Sequence, residues 1–280
     1  MIDWLLEPLR FGASLRALIE ISLIGAVGGA VGCWVVLYRV SYSAESLAHG
    51  LLPGLVAATL LGLPVLLGGA AGILAAAVLI ALVSRLAGEG ADTAIAVVVT
   101  TLFGIGVLMA LSPDAPPGTS ELLFGDLLGV TAAELAFTAP VAVAVVAVLW
   151  LLHDRLLAAG FDPVAGRALG IAPGLMSGVV LTLVALTVLV GVQGLGNLLV
   201  AAVLVAPAAA ARLLTERFAP MMALSVVFAL VAGVAGIYLS FHARIAAGAA
   251  VVACLVLLYL FATAVSATGL GFGRATSLRP

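Results

Sequence analysis

The chain has 280 residues, of which 65% are hydrophobic and 9% charged, with a net charge of −2 and a mean hydropathy of +1.36. That composition excludes a water-exposed globular surface and predicts an all-α polytopic membrane protein. All eleven basic residues are arginine and none forms a basic tract, so nothing supports nucleic-acid binding and no nucleic-acid partner is expected.

From the start, MIDWLLEPLR carries Asp3 and Glu7 and lacks a cationic leader or a small-residue cleavage site. No removable signal peptide is expected. Arginine, glycine, proline and aspartate then punctuate the chain into about nine apolar stretches of spanning length. These are Ser14–Leu37, Ser43–Leu61, Pro64–Ser84, Asp92–Leu111, Ala132–Leu152, Pro173–Val192, Gly196–Leu214, Ala219–Leu239 and Ile245–Val265. One transmembrane domain covering residues 1–280 is expected.

Cytoplasmic loops retain positive charge, so arginine placement predicts orientation. With the N-terminus outside and the C-terminus cytoplasmic, Arg39, Arg85, Arg155, Arg167, Arg212, Arg217, Arg274 and Arg279 lie inside, leaving Arg10, Arg16 and Arg244 outside. This separation requires an odd number of spans.

Gly25, Gly28, Gly29 and Gly32 form a small-residue face on the first span, as close helix packing in lipid requires. The second span contains SAESLAHGLLPG, with Glu45 and His49 four positions apart and therefore on one helix face. Ionisable groups at bilayer depth cost roughly 2 to 3 kcal/mol each, so such a pair marks a substrate route; the alternative is a hydrogen bond that satisfies itself between packed helices. In this register the pair lies closer to the cytoplasmic end than to the midplane. Cys33 and Cys254 both fall in apolar spans and suit packed thiols better than a disulfide framework.

Two connections are long. Residues 112–131, SPDAPPGTSELLFGDLLGVT, contain a segment too short to span and predict an interfacial or re-entrant helix outside the membrane. Asp114, Glu121, Asp126 and Glu134 make that face acidic. In His153 to Ala172, Asp162 followed by Pro163 is a helix start and Gly170 suits a helix end, so Pro163 to Leu169 is a short cytoplasmic helix. By pattern alone it either docks a partner or rests on lipid headgroups.

Pro53, Pro140 and Pro207 interrupt spans and free backbone carbonyls. His242 beside Arg244 reads as a solvated loop histidine, His153 as an interface residue, and Gln193 and Asn197 as helix-end caps flanking an outer turn. Trp4, Trp34 and Trp150 lie near span ends, where interface anchors sit.

Five ordered blocks, GCWVVLYRVSYSAESLAHGLLPGLV, LLFGDLLGV, GFDPVAGRALGI, GNLLVAAVLVAPAAAARLLT and GIYLSFHARIAAGAAVV, carry a family resemblance over nearly the whole length. The chain resembles the permease subunit of zinc/manganese-type ABC importers. That likeness implies two copies forming a homodimeric pathway in the inner or plasma membrane, with cytoplasmic ABC ATPase subunits and an extracytoplasmic metal-binding protein. GFDPVAGRALGI then matches the coupling helix, about residues 161–170, which assigns Phe161, Asp162, Pro163, Arg167, Leu169 and Gly170 to ATPase contact. The chain has no G-x-x-x-x-G-K-[ST] loop, so ATP belongs on a partner subunit and no cofactor is permanently bound.

The family's metal pair is an aspartate and a histidine four residues apart. His49 matches, while Glu45 stands in the aspartate's place with an arm one methylene longer. The implied function is import of a divalent manganese or zinc ion by a subunit that is not itself an enzyme. An importer for iron chelates or corrinoids is the rival within transport, needing a wide cavity and no buried ligands. An intramembrane metalloenzyme is distant, because H-E-x-x-H is absent. A passive scaffold would explain neither the pair nor the capped helix.

Overall fold

The computed structural model describes residues 11–87, 91–113, 115, 116, 118, 119 and 121–268. Readings placed on Asp3, Trp4, Glu7, Arg10, Asp114, Arg274 and Arg279 lie outside the described residues, as do those on the side chains of Arg85 and Glu121.

Among the described residues the structure is entirely helical. In chain order the helices are α1 (Gly12–Leu37), α2 (Ser41–Leu60), α3 (Val65–Ala87), α4 (Ala91–Ala110), α5 (Glu121–Phe124), α6 (Ala132–Leu151), α7 (His153–Phe161), α8 (Pro163–Ala168), α9 (Pro173–Leu195), α10 (Asn197–Leu214), α11 (Phe218–Ala243) and α12 (Ala247–Ala267), with a 3-10 turn at Leu127–Gly129. Seven of them, α1, α3, α6 and α9–α12, are long and apolar enough to cross a membrane. The chain is a multi-pass membrane protein. α2 is as long as α6 but has its apolar run diluted by Ser41, Ser43, Glu45, Ser46 and His49. α4 contributes a shorter apolar stretch, Ile95–Ala110.

α1 occupies the centre, with 67% of its most apolar window buried. It is surrounded by α6, α9, α10 and α11, as its small residues allow neighbouring helices to approach closely. Its glycine face meets the neighbours: a Cβ at Gly25 would touch Ala229, one at Gly29 would press on Ser225, and one at Gly32 would run into the Leu204 carbonyl and Ala208. The Ser225 hydroxyl uses this closeness to donate to the Gly29 carbonyl at 2.7 Å. Gly32→Val is therefore expected to destabilise by about 1–3 kcal/mol through overpacking, read as a lowered unfolding temperature in detergent. Gly104→Ala, where a Cβ meets nothing within 4 Å, should leave that temperature unchanged or slightly raised.

The outer faces carry large exposed apolar residues, among them Leu67, Leu74, Val78, Val143 and Leu257. Contiguous apolar surface of this kind suits lipid. Trp150, 77% exposed, belongs to that surface, but Trp34 does not. Instead of anchoring at an interface, Trp34 is fully buried, with its ring 4.5 Å from Phe218 and 5.5 Å from His153. Proximity to a span end in sequence does not distinguish an indole facing headgroups from one facing a neighbouring helix. Cys33 and Cys254 are free thiols, one buried and one half-buried.

The two long connections fold differently in detail from expectation. Among the described residues of 112–131 there are two short pieces, α5 and the 3-10 turn, separated at Gly125 (φ 76°). Asp126 accepts from the Gly129 N–H at 3.0 Å, and Thr131 and Glu134 close a capping box at the start of α6. The second connection contains a helix that sequence pattern missed, α7, whose Leu156 and Ala159 are buried. Its nine residues are too few to show a clear period.

Candidate functional site

α2 is locked from behind and open in front. Gly54 and Gly68 let the α2 and α3 backbones meet, and Gly106 brings α4 against Leu52 and Pro53. Nine residues at about 100° each place Gly54 on the side of α2 opposite Glu45, so the packed face is not the polar one.

On the open face, His49 Nε2 lies 3.7 Å from Glu45 Oε1, with the His49 side chain 21% exposed and that of Glu45 58% exposed. His49 lies eight residues into α2 and Glu45 four, about 12 and 6 Å along the axis. The histidine is thus near the middle of its helix. Its ring rests on Phe103 of α4, centroids 4.8 Å apart at 56°. Pro53 has no N–H, so the carbonyl of His49, four residues earlier, loses its usual helical donor.

The pair opens onto a cavity of about 580 Å³ lined by Ser41, Tyr42, Glu45 and His49 of α2, by Ala201, Ala202, Val205, Ala206 and Ala209 of α10, and by Val256 and Tyr259 of α12. Apart from Leu198, the α10 wall is alanine and valine, whose short side chains leave the space unfilled. A carboxylate oxygen and a ring nitrogen on such a wall are the donors a borderline divalent cation accepts. Among the described residues no group of three or more His, Cys, Asp or Glu side chains comes together, so one chain supplies two side-chain donors and not a closed sphere.

Asn197 is where structure and sequence reading part. It is the first residue of α10, just after Gly196 (φ 76°), but it does not cap an outer turn. It is fully buried, and its amide nitrogen lies 3.5 Å from His49 Nδ1. Gln193 is half-buried in α9. His242 is not a loop histidine either: it is half-buried in the last turn of α11, edge-on to Phe241 at 5.2 Å, with Arg244 following in left-handed backbone (φ 56°).

The structure adds one buried ionisable group that the sequence reading does not single out. Glu20 of α1 is 1% exposed and accepts from the Thr138 hydroxyl at 2.9 Å. It stood in the sequence as a charge inside the first span, the signal that marks such positions.

The second cluster of sequence candidates stands apart from this pair. Asp162 separates α7 from α8 and accepts from the Val164 and Ala165 N–H groups at 2.9 and 3.0 Å. Pro163 occupies the first turn, Arg167 the last, and Gly170 (φ 76°) ends the unit in backbone that glycine adopts freely. Phe161 (62%), Val164 (68%) and Leu169 (72%) project outward as exposed apolar groups. Phe161 also meets Phe218 edge-on, centroids 6.4 Å apart, which ties the end of α7 to the start of α11.

Residues 11–266 match the model of the ABC 3 transport family. The chain is 31% identical over 262 residues, 92% of its length and 88% of the relative's, to the manganese transport system membrane protein MntC of Halalkalibacterium halodurans. It is 29% identical to a probable iron transport system membrane protein of Haemophilus influenzae, with 95% of this chain and 98% of that one covered. Among solved structures it resembles PsaBC from Streptococcus pneumoniae in complex with Fab, at a TM-score of 0.86 and 27% identity over 94% of this chain and 95% of that one. A match over this much of a helical, lipid-compatible chain leads to one conclusion: the protein belongs to the ABC 3 transport family.

Proposed function

We propose that Glu45 and His49 bind a divalent transition-metal ion in transit, manganese first and zinc second, and that the chain is the membrane permease subunit of the ABC importer that moves it. The observation that carries the reading is the geometry of α2: an ionisable pair 3.7 Å apart opens onto a cavity instead of being plugged by packed helices. Family membership supplies the transport class, and the relative named as a manganese transport protein supplies the ion. Iron is a further candidate cargo, favoured by the Haemophilus relative.

Two side-chain donors per chain call for a second copy. Across a two-fold axis the open face of α2, α10 and α12 meets itself, and Glu45 and His49 from each chain make four ligands. Nine helices cross the membrane, the N-terminus lies outside, the C-terminus is cytoplasmic, and residues 1–280 form one permease domain. The segment 112–131 faces outward toward an extracytoplasmic metal-binding protein, and residues 161–170 dock on a cytoplasmic ATPase subunit. ATP is hydrolysed there, since this chain carries no phosphate-binding loop of the G-x-x-x-x-G-K-[ST] type.

Uptake of radioactive manganese and zinc by vesicles carrying the complete transporter tests this, with native chain compared with Glu45→Asp. Both forms are expected to accumulate metal, with the manganese-to-zinc ratio changed by about threefold or more, because the shorter arm alters the oxygen's reach and the two ions differ in ligand preference. A native complex that accumulates neither ion would sink the proposal.

A further inference from the structure

Asn197 is fully buried, beside the candidate ligand His49 but absent from the cavity wall. Its amide nitrogen lies 3.5 Å from the ring Nδ1, and its Oδ1 is buried without a hydrogen-bond partner among the described residues. A fully buried amide in apolar surroundings is costly, and this one meets the ring nitrogen that faces away from Glu45.

The two ends of a carboxamide have the same shape, so one pocket accepts the group either way round. With Nδ2 toward the ring the amide donates to Nδ1, and the neutral imidazole then carries its proton on Nε2, pointing at Glu45. With Oδ1 toward the ring the amide accepts from Nδ1–H, and Nε2 presents a bare lone pair. The ring keeps one proton in both arrangements. Only the second can bind a cation through Nε2, the nitrogen on the Glu45 side of the ring.

We propose that Asn197 is the positioning residue of His49: its Oδ1 accepts the Nδ1–H and so selects the tautomer whose Nε2 takes the ion. The inference rests on the reading of Glu45 and His49 as ligands. It gives α10 a second part in the site besides lining the cavity, and it explains why a polar side chain is buried at the first position of that helix.

The test is manganese uptake by vesicles carrying the complete transporter with Asn197→Leu, which keeps the volume and removes the acceptor, and with N197D, which keeps the acceptor. N197L is expected to raise the apparent KM for manganese about 10–100-fold, as loss of an outer-shell partner does, with the maximal rate retained and N197D within about threefold of native. An N197L KM within about twofold of native would overturn the proposal. His49→Ala run alongside separates the two claims, because full uptake without the imidazole defeats the ligand reading itself. Where N197L does not assemble, solid-state NMR of the native complex labelled with ¹⁵N-histidine and loaded with zinc decides. A zinc-bound Nε2 with protonated Nδ1 supports the assignment, and a zinc-bound or unprotonated Nδ1 overturns it.

Discussion

Vesicles carrying the complete transporter with His49→Ala are expected to take up manganese about 100-fold more slowly or worse at limiting ion, equivalent to about 2.7 kcal/mol of lost ion binding. In the proposed two-fold arrangement each substitution would remove a ligand from both halves of one site, which is why the expected effect is large. Glu45→Ala should do the same, and Glu45→Gln should fall between, since it keeps an oxygen donor but gives up the charge. The membrane level of each variant should be native, because Glu45 is 58% exposed in its side chain and the two side chains meet only at 3.7 Å. Uptake that survives both alanine variants would show that the ion travels elsewhere.

A charge placed on the short helix α8 should separate transport from its energy source. Leu169→Asp and Val164→Asp put a carboxylate at positions 72% and 68% exposed, so neither disturbs this chain's own packing. On an ATPase subunit the same carboxylate would be buried without a partner, which costs about 2–5 kcal/mol and weakens association about 30-fold or more. Copurification of the ATPase with the permease in detergent should be lost while the permease remains in the membrane. Undiminished copurification with both variants would remove the coupling assignment from residues 161–170. Asp162→Ala is the milder variant: it deletes a cap with two hydrogen bonds, worth about 1 kcal/mol, and should loosen α8 without abolishing docking.

Much of the architecture was legible along the chain because lipid imposes a simple rule. Every backbone group must be paired within its own segment, so long apolar runs become helices whatever surrounds them. The expected stretches Ser14–Leu37 and Pro173–Val192 correspond to α1 and α9 with shifts of a few residues. The capped helix after Asp162 was legible for another local reason, since an aspartate followed by proline satisfies and pre-shapes a helix start by itself. Glu45 and His49 stood out through cost, because ionisable groups are rare inside apolar runs.

What a side chain faces was another matter. Trp34 and Trp150 occupy similar positions in their spans, yet one is enclosed by Phe218 and His153 and the other is 77% exposed. Glu20 reads as one charge in a span until α6 brings Thr138 to it. Asn197, 148 positions from His49, looks like a helix cap because helix starts favour that residue, and only the packing of α10 beside α2 delivers its amide to the imidazole.

Composition and periodicity by themselves determined that this chain lives in a membrane as a bundle of helices, with a carboxylate and an imidazole on one helix face, because those properties depend on neighbours within a few residues. Tertiary structure alone decided which face of α2 is sealed by glycine contacts and which opens on a cavity, and that Asn197 stands behind the histidine. Contacts between distant helices depend on which surfaces fit at close range, and no spacing along the chain records that fit.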